Sequence, residues 1–216
     1  METFLGMKGG PLDHVALWTD HRDELADFVC ERAGMHVIDR TDRFTLVGAD
    51  ARKGKLTLFE ADGPRDPGAL GHVALRVRNP IGSTAVDAPG GLQIRFVHDD
   101  EGDEWDLHHV SLVVPDPEAA VEEMAGLGFE RDNGGLRAGD KRVVFEQGLF
   151  AYSDRPLLNH LALLVDSVQD HIDEAERRGL EVEDVVDAPN TIALFVRGPA
   201  GIRIEYVEHK PGFALK

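Results

Sequence analysis

The sequence predicts an α+β fold built from tandem βαβββ repeats, in which the second repeat is truncated. Three observations predict it. Four segments open alike, with a leucine, one variable residue and a histidine before an apolar run. Each repeat closes with a second strand-like segment, and in three of the four repeats a helical pattern lies between the two ends.

The opening segments are strands by their length and apolar content. The histidine stands at the same point of each one, which gives His14, His72, His109 and His160. The segments are LDHVALW from Leu12, LGHVALRV from Leu70, LHHVSLVV from Leu107 and LNHLALLV from Leu158.

A helix is predicted to follow the opening strand of the third repeat. Asp116 can cap its N-terminus, Pro117 suits the first turn, and Glu118 is favourable near the positive end of the helix dipole. The helix should end at Gly126 or Gly128, because glycine adopts the left-handed conformation that commonly terminates helices.

The fourth and first repeats carry equivalent helices. In the fourth repeat Asp166 or Ser167 caps the segment VQDHIDEAERR, which ends at Gly179. In the first repeat the segment DELADFVCERAG has the same place. Short strand-like runs follow each helix, so the unit is a strand, a helix and three strands.

The closing segments carry glutamate in three repeats, at Glu60, Glu146 and Glu205, and Arg95 stands at the matching place in the second. These segments are KLTLFEAD from Lys55, LQIRFVHD from Leu92, RVVFEQG from Arg142 and IRIEYVEH from Ile202.

The second repeat is too short for a complete unit, and its central segment RNPIGSTAVDAPGG has the composition of turns. We therefore expect it to lack its helix and one strand. A charged, apolar-poor linker at residues 98–106 divides the chain into a degenerate N-terminal domain, residues 1–103, and a metal-binding C-terminal domain, residues 104–216.

Composition excludes several classes of function. The net charge of −17 argues against a nucleic-acid partner, whose phosphates need a basic surface. No apolar run is long enough to predict a membrane span. The single cysteine, Cys30, excludes an intramolecular disulfide framework and is typical of a cytoplasmic protein. The sequence has no glycine-rich phosphate loop and no nucleophile elbow.

Strand alternation predicts a metal site in the C-terminal half. If the apolar faces of the strands pack under the helices, His109, His160 and Glu205 face the concave side of the sheet. Two imidazoles and one carboxylate form a facial triad that leaves coordination positions open, which suits Fe(II) or Mn(II). A second carboxylate would close the set and suit Zn(II), Ni(II) or Co(II).

The first half carries related residues, namely His14, Glu60 and His72. Arg95 would bring a cation into a site formed there. We therefore interpret this half as a structural relic or a substrate wall, and leave open whether it holds a second metal.

The repeated openings and the closing segment GPAGIRIEYVE resemble the vicinal oxygen chelate superfamily, which includes glyoxalase I, bleomycin-binding proteins and type I extradiol dioxygenases. The resemblance covers almost the whole chain and implies two glyoxalase-like domains. Four units with the metal set in the second half are most similar to the extradiol ring-cleavage dioxygenases, and the ligands implied are again His109, His160 and Glu205.

The resemblance leaves three functions to distinguish. A dioxygenase would use Fe(II) to chelate a catechol-like substrate, with His108 and Tyr152 as acid/base candidates. An isomerase or lyase would polarise an α-hydroxy carbonyl substrate with a divalent metal, and Glu146 or Glu205 would move a proton. A small-molecule binding protein would need no metal. Exposed sheet edges in the shortened first half also favour a homodimer.

Overall fold

The computed structural model describes residues 7–79, 84–149 and 153–213. Within them the chain is an α+β protein with two sheets and three α-helices, as the repeat pattern predicts. The predicted truncation is also confirmed, since the described part of the second repeat contains three strands and no α-helix.

One eight-stranded sheet, here called the first sheet, combines the first and fourth repeats. Its strands lie in the order β13-β14-β15-β12-β1-β4-β3-β2. The first repeat contributes β1 (Leu12–Thr19), β2 (His36–Arg40), β3 (Phe44–Gly48) and β4 (Lys55–Glu60). The fourth contributes β12 (Leu158–Leu164), β13 (Val182–Asp187), β14 (Thr191–Arg197) and β15 (Arg203–His209).

The second sheet has seven strands, in the order β6-β7-β5-β8-β11-β10-β9, and combines the second and third repeats. The second repeat contributes β5 (Leu70–Val77), β6 (Ala85–Asp87) and β7 (Gln93–His98). The third contributes β8 (Leu107–Val114), β9 (Glu130–Asp132), β10 (Gly135–Ala138) and β11 (Lys141–Gln147).

The opening strands determine how the repeats combine. β1 pairs antiparallel with β12, and β5 pairs antiparallel with β8. The first repeat therefore joins the fourth, and the second joins the third. The sheets do not follow the predicted division into residues 1–103 and 104–216, because each sheet takes strands from both sides of that boundary.

The helices lie where the sequence predicts them. They are α1 (Arg22–Arg32), α2 (Pro117–Gly126) and α3 (Val168–Arg178). The Asp116 side chain caps α2, Ser167 rather than Asp166 caps α3, and Gly179 ends α3 with a φ of 64°. None of these helices is long and apolar enough for a membrane crossing among the residues that the structure describes.

The apolar faces of the strands pack under the helices, as strand alternation predicts. In the fourth repeat Leu161, Leu163, Ile204 and Tyr206 are fully buried in the core. The Tyr206 hydroxyl donates a hydrogen bond to the Leu127 carbonyl over 2.7 Å, so that this buried polar group is satisfied. The alternate residues of β12 and β15 face the opposite side, where the candidate site lies.

Candidate metal centre

The structure brings His160 and Glu205 together with His14, and not with His109. The Nε2 atoms of His14 and His160 lie 3.0 Å apart. Glu205 Oε2 lies 2.8 Å from Nε2 of His160 and 3.2 Å from Nε2 of His14. Among the described residues, these three are the one group of histidine, cysteine and acidic side chains whose donor atoms converge closely enough to share an ion.

His109 lies in the second sheet, where its Nε2 is 2.9 Å from Nε2 of His72. The correction follows from strand pairing. Because β12 pairs with β1 and β8 pairs with β5, the histidine that faces His160 comes from the first repeat. Sequence reasoning missed this role of His14, although His14 carries the same opening motif as the other three histidines.

The pairing register explains how the three side chains meet. In β1 and β12, Ala16 pairs with His160 and Ala162 pairs with His14, so the two histidines flank small side chains. Ala162 also pairs with Glu205 of the parallel neighbour β15. Residues paired across strands share one face of a sheet, and all three ligand candidates therefore project to the same side.

The same register identifies Thr57 as the fourth member of the site. In the first repeat, the residue paired with Ala16 on β4 is Thr57, just as Glu205 pairs with Ala162 in the fourth repeat. Glu60 pairs instead with Thr19 at the end of β4, where it contacts Arg22 and is exposed. A hydroxyl thus occupies the place where a second carboxylate would close the coordination sphere.

The Nδ1 atoms of both histidines are occupied by hydrogen bonds, which direct Nε2 into the site. His14 Nδ1 donates to the Asp13 carboxylate over 2.9 Å, and His160 Nδ1 donates to Oδ1 of Asn159 over 3.0 Å. Arg203 donates to the same Asn159 oxygen over 3.0 Å. Such partners fix the tautomer and ring orientation of metal-bound histidines in proteins.

Asp13 is itself held in place by Lys55. The Lys55 ammonium, only 2% exposed, lies 2.7 Å from both carboxylate oxygens of Asp13. Burial would raise the pKa of Asp13, but the hydrogen bond from His14 and the Lys55 charge hold that pKa well below its usual range. Asp13 therefore stays a carboxylate beside His14.

The charges at the centre fit a bound cation. Burial would raise the pKa of Glu205, but the neighbouring histidines, His160 first, hold it well below its ordinary value. Burial opposes protonation of His14, yet the neighbouring Asp13 and Glu205 carboxylates raise its pKa to about 9. Burial lowers the pKa of His160, which stays neutral. Without a metal, His14 thus supplies the positive charge that Glu205 requires.

An unsatisfied oxygen supports the same interpretation. Glu205 is 6% exposed, and its Oε2 has no hydrogen-bond partner, because the two close imidazole nitrogens do not meet it with hydrogen-bond geometry. A buried carboxylate oxygen without a partner is costly in a folded protein. A divalent ion between Glu205, His14 and His160 would satisfy it.

A cavity of about 460 Å³ opens onto the three side chains. Its apolar wall includes Phe44, Phe59 and Phe195. Phe195 packs edge-on to the His160 ring, with ring centroids 5.2 Å apart. The Phe59 ring centroid lies 5.3 Å from that of Trp18 and 5.8 Å from that of Phe44. The cavity is of the size and lining that proteins use for small-molecule ligands.

The predicted acid/base residues lie elsewhere. Glu146 and His108 are on the second sheet, where Glu146 accepts a 2.5 Å hydrogen bond from Ser111 and His108 Nδ1 lies 2.7 Å from Nδ1 of His109. Tyr152 falls outside the described residues. His209, which sequence reasoning did not identify, lines the cavity with its Nε2 3.8 Å from Asp13 Oδ1.

Comparison with known proteins supports the resemblance seen in the sequence. Residues 11–102 match the model of the Glyoxalase/Bleomycin resistance protein/Dioxygenase superfamily. Among curated proteins, none matches the chain. The matched residues comprise the first repeat and most of the second.

Solved structures extend the likeness to the whole chain. A provisionally assigned dioxygenase from Bacillus subtilis is 18% identical, with a TM-score of 0.71, and the match covers 96% of this chain and 88% of that one. Glyoxalase I from Zea mays is 18% identical, with a TM-score of 0.71 and 92% of both chains covered. The cppA protein from Streptococcus pneumoniae is 13% identical, with a TM-score of 0.64, and the match covers 94% of this chain and 100% of that one. The fold is thus that of the vicinal oxygen chelate superfamily, and the predicted resemblance is confirmed.

Proposed function

We propose that the chain is a metal-dependent enzyme of the extradiol dioxygenase type, which binds one Fe(II) on His14, His160 and Glu205. The observation that carries the proposal is the ligand set itself. Two imidazoles and one carboxylate converge beside an open cavity, and Thr57 occupies the place of a fourth ligand. This is the donor set of the facial triad, which leaves positions free for substrate and dioxygen.

When bound, Fe(II) would supply Lewis acidity and one-electron redox chemistry at the floor of the cavity. The chain's own side chains do the rest. Asp13 and Asn159 keep both imidazoles oriented through Nδ1. The phenylalanine wall of the cavity can hold a flat ring and exclude water from it.

Proton transfer is assigned to His209 in this proposal. It is the histidine of the cavity wall that is not a candidate ligand, and Asp13 lies 3.8 Å from its Nε2. Its ring stacks on Phe213 with centroids 3.7 Å apart, which fixes its orientation. Burial lowers the pKa of His209, so that the ring can accept a proton from a catechol hydroxyl and return it.

A second candidate function is a glyoxalase-type isomerase or lyase, because the chain also shares the fold of glyoxalase I from Zea mays. In that reaction the metal acts as a Lewis acid, and a carboxylate moves the proton. Thr57 argues against it, since the place of a second carboxylate at the centre is taken by a hydroxyl.

The test combines metal analysis with oxygen uptake. Protein loaded with Fe(II) without air is mixed with catechol in aerated buffer. We expect one iron per chain, consumption of one dioxygen per catechol and a yellow ring-opened product. The Glu205→Gln variant, which removes one ligand charge with little change of shape, is expected to lose iron and activity together.

Three other outcomes would contradict the proposal. Binding of another divalent metal, with isomerisation of the methylglyoxal–glutathione adduct and no oxygen uptake, would support the isomerase. A protein that binds no metal would be a small-molecule binder. Metal bound equally well by the Glu205→Gln variant would place the centre elsewhere. A cytoplasmic location and a homodimer remain predictions from the sequence.

A further inference from the structure

The second sheet repeats the geometry of the metal centre with different chemistry. In the first sheet, paired residues form the row Glu205–Ala162–His14 across β15, β12 and β1. In the second sheet the equivalent row is Arg95–Ala74–His109, across β7, β5 and β8. An alanine stands between the two polar residues in each row, so both rows leave space above a small side chain.

The paired histidines are also repeated. His72 and His109 place their Nε2 atoms 2.9 Å apart, compared with 3.0 Å between His14 and His160. His72 is 2% exposed, and His109 is half-buried. His109 Nδ1 lies 2.7 Å from Nδ1 of His108. If His108 donates the proton in that contact, His109 Nδ1 is the acceptor. The neutral His109 ring then carries its proton on Nε2, which faces His72.

The charge of the second cluster is opposite to that of the first. Arg95 stands where Glu205 stands in the metal centre, and Val144 stands where Thr57 does. Within the described parts of the chain, the Arg95 guanidinium has no hydrogen bond and no ion pair, and the side chain is exposed. A guanidinium beside two imidazoles disfavours a metal ion and favours an anion.

Glu146 is the acidic side chain near this cluster. Its Oε1 accepts a hydrogen bond from Ser111 and lies 3.8 Å from Nδ1 of His72. It thus faces the Nδ1 edge of His72, whereas the Nε2 edges of the two histidines meet on the other side of the ring. Arg142 of β11 pairs with His109 and adds a second cation at that end of the row. The Arg142 guanidinium already forms an ion pair with Asp132.

We propose that the second sheet binds a small oxyanion at Arg95, His72 and His109, above Ala74. The guanidinium supplies paired N–H donors of the geometry that carboxylate and phosphate oxygens match. In the free protein one proton lies between the two Nε2 atoms, which are 2.9 Å apart. A bound oxyanion would favour a second proton, so that each ring could donate an Nε2–H to it. The site is independent of the metal centre, because it uses other strands and no shared side chain.

The test is calorimetric titration of the purified full chain with inorganic phosphate at neutral pH. We expect saturable binding of one phosphate per chain at this site and a shift of the His72 and His109 side-chain nitrogen resonances. Arg95→Gln should weaken binding by about tenfold or more, since it removes a charge-assisted contact to the anion. Arg95→Lys should retain part of the affinity.

Two controls make the result specific. Arg137→Gln removes an exposed arginine that pairs with Glu130 on β9, and it should bind phosphate as the wild type does. Glu205→Gln should also bind phosphate normally, so failure of the proposed metal function would not alter this result. Absence of saturable binding, or equal affinity in Arg95→Gln and the wild type, would overturn the proposal.

Discussion

Asp13 links the first candidate ligand to the protein interior. It accepts the Nδ1–H of His14 and forms an ion pair with the buried ammonium of Lys55. We expect Asp13→Asn to weaken Fe(II) binding by about 10- to 100-fold, the usual effect of removing a residue that orients a metal-bound histidine. The loss should be measured by competition with a chromophoric chelator.

The matched control is Asp39→Asn, because Asp39 lines the same cavity without holding a candidate ligand. It should bind iron within about twofold of the wild type. Equal affinity in Asp13→Asn and the wild type would show that Asp13 does not orient His14. The free energy of unfolding of the Asp13 variant should also be lower than that of the wild type by about 3–5 kcal/mol, because Lys55 loses its buried partner.

In the proposed centre, Thr57 stands where a fourth ligand would bind. Because Thr57 pairs with Ala16 as Glu205 pairs with Ala162, Thr57→Glu should project a second carboxylate toward the metal. We expect this variant to bind Zn(II) or Ni(II) at least about tenfold more tightly and to lose oxygen uptake, since a fourth ligand occupies an open position.

Thr57→Gln is the control, with a side chain of similar size and no charge. It should not tighten Zn(II) binding. If Thr57→Glu binds Zn(II) no better than Thr57→Gln, the register does not place residue 57 at the metal.

At the level of single elements, the sequence predicted the strands and helices well because their signals are local. Asp116, Pro117 and Gly179 have the capping and terminating roles expected of them. Registers were harder to predict. Glu60 and Glu146 resemble Glu205 in sequence, but strand pairing opposes Thr57 to Ala16 and Val144 to Ser111. A register shift of a few residues moves a side chain to the other face of the sheet or to another position along the strand. The local sequence does not indicate the register.

The N-terminus of α3 distinguishes two caps that the sequence could not. Ser167 Oγ accepts the backbone N–H of Asp170 over 3.2 Å, whereas Asp166 is exposed. We expect Ser167→Ala to lower the free energy of unfolding by about 1 kcal/mol, because a backbone donor loses its partner. Asp166→Ala should change it by less than about 0.5 kcal/mol. Urea unfolding measures both, and a larger effect of the Asp166 variant would reverse the assignment.

Across the whole molecule, the pairing of repeats decides which residues meet in the candidate site. Four similar openings can pair in several ways, and sequence reasoning joined neighbours within each half. The structure joins the first repeat with the fourth and the second with the third. This choice depends on the long-range pairing of β1 with β12 and of β5 with β8. The sequence of a single strand does not indicate which partner it pairs with. His160 and Glu205 meet in the candidate centre as the sequence predicts, because they belong to one repeat, whereas His14 comes from another.

The second sheet should make stability depend on pH. Burial, together with His108 and His72, lowers the pKa of His109 to about 4, from about 6.5 in an unfolded chain. Between these values the unfolded state binds more protons, so stability rises with pH and is lost as the pH falls from about 6.5 toward 4. The free energy of unfolding of His109→Gln should therefore fall less than that of the wild type between pH 7.5 and 5.

His98→Gln is the control for this comparison, since His98 is a mainly exposed histidine of β7 in the same sheet. Its pH dependence should match that of the wild type. An identical loss of stability in the wild type and His109→Gln would mean that His109 does not titrate as its burial requires.

The most direct measurement is the iron content of two full-length variants, His14→Ala and His109→Ala, after anaerobic Fe(II) loading and desalting. If the first and fourth repeats build the centre, His14→Ala should retain almost no iron, and His109→Ala should retain one equivalent, with both variants folded by circular dichroism. The opposite pattern, with iron lost from His109→Ala and kept by His14→Ala, would contradict the account.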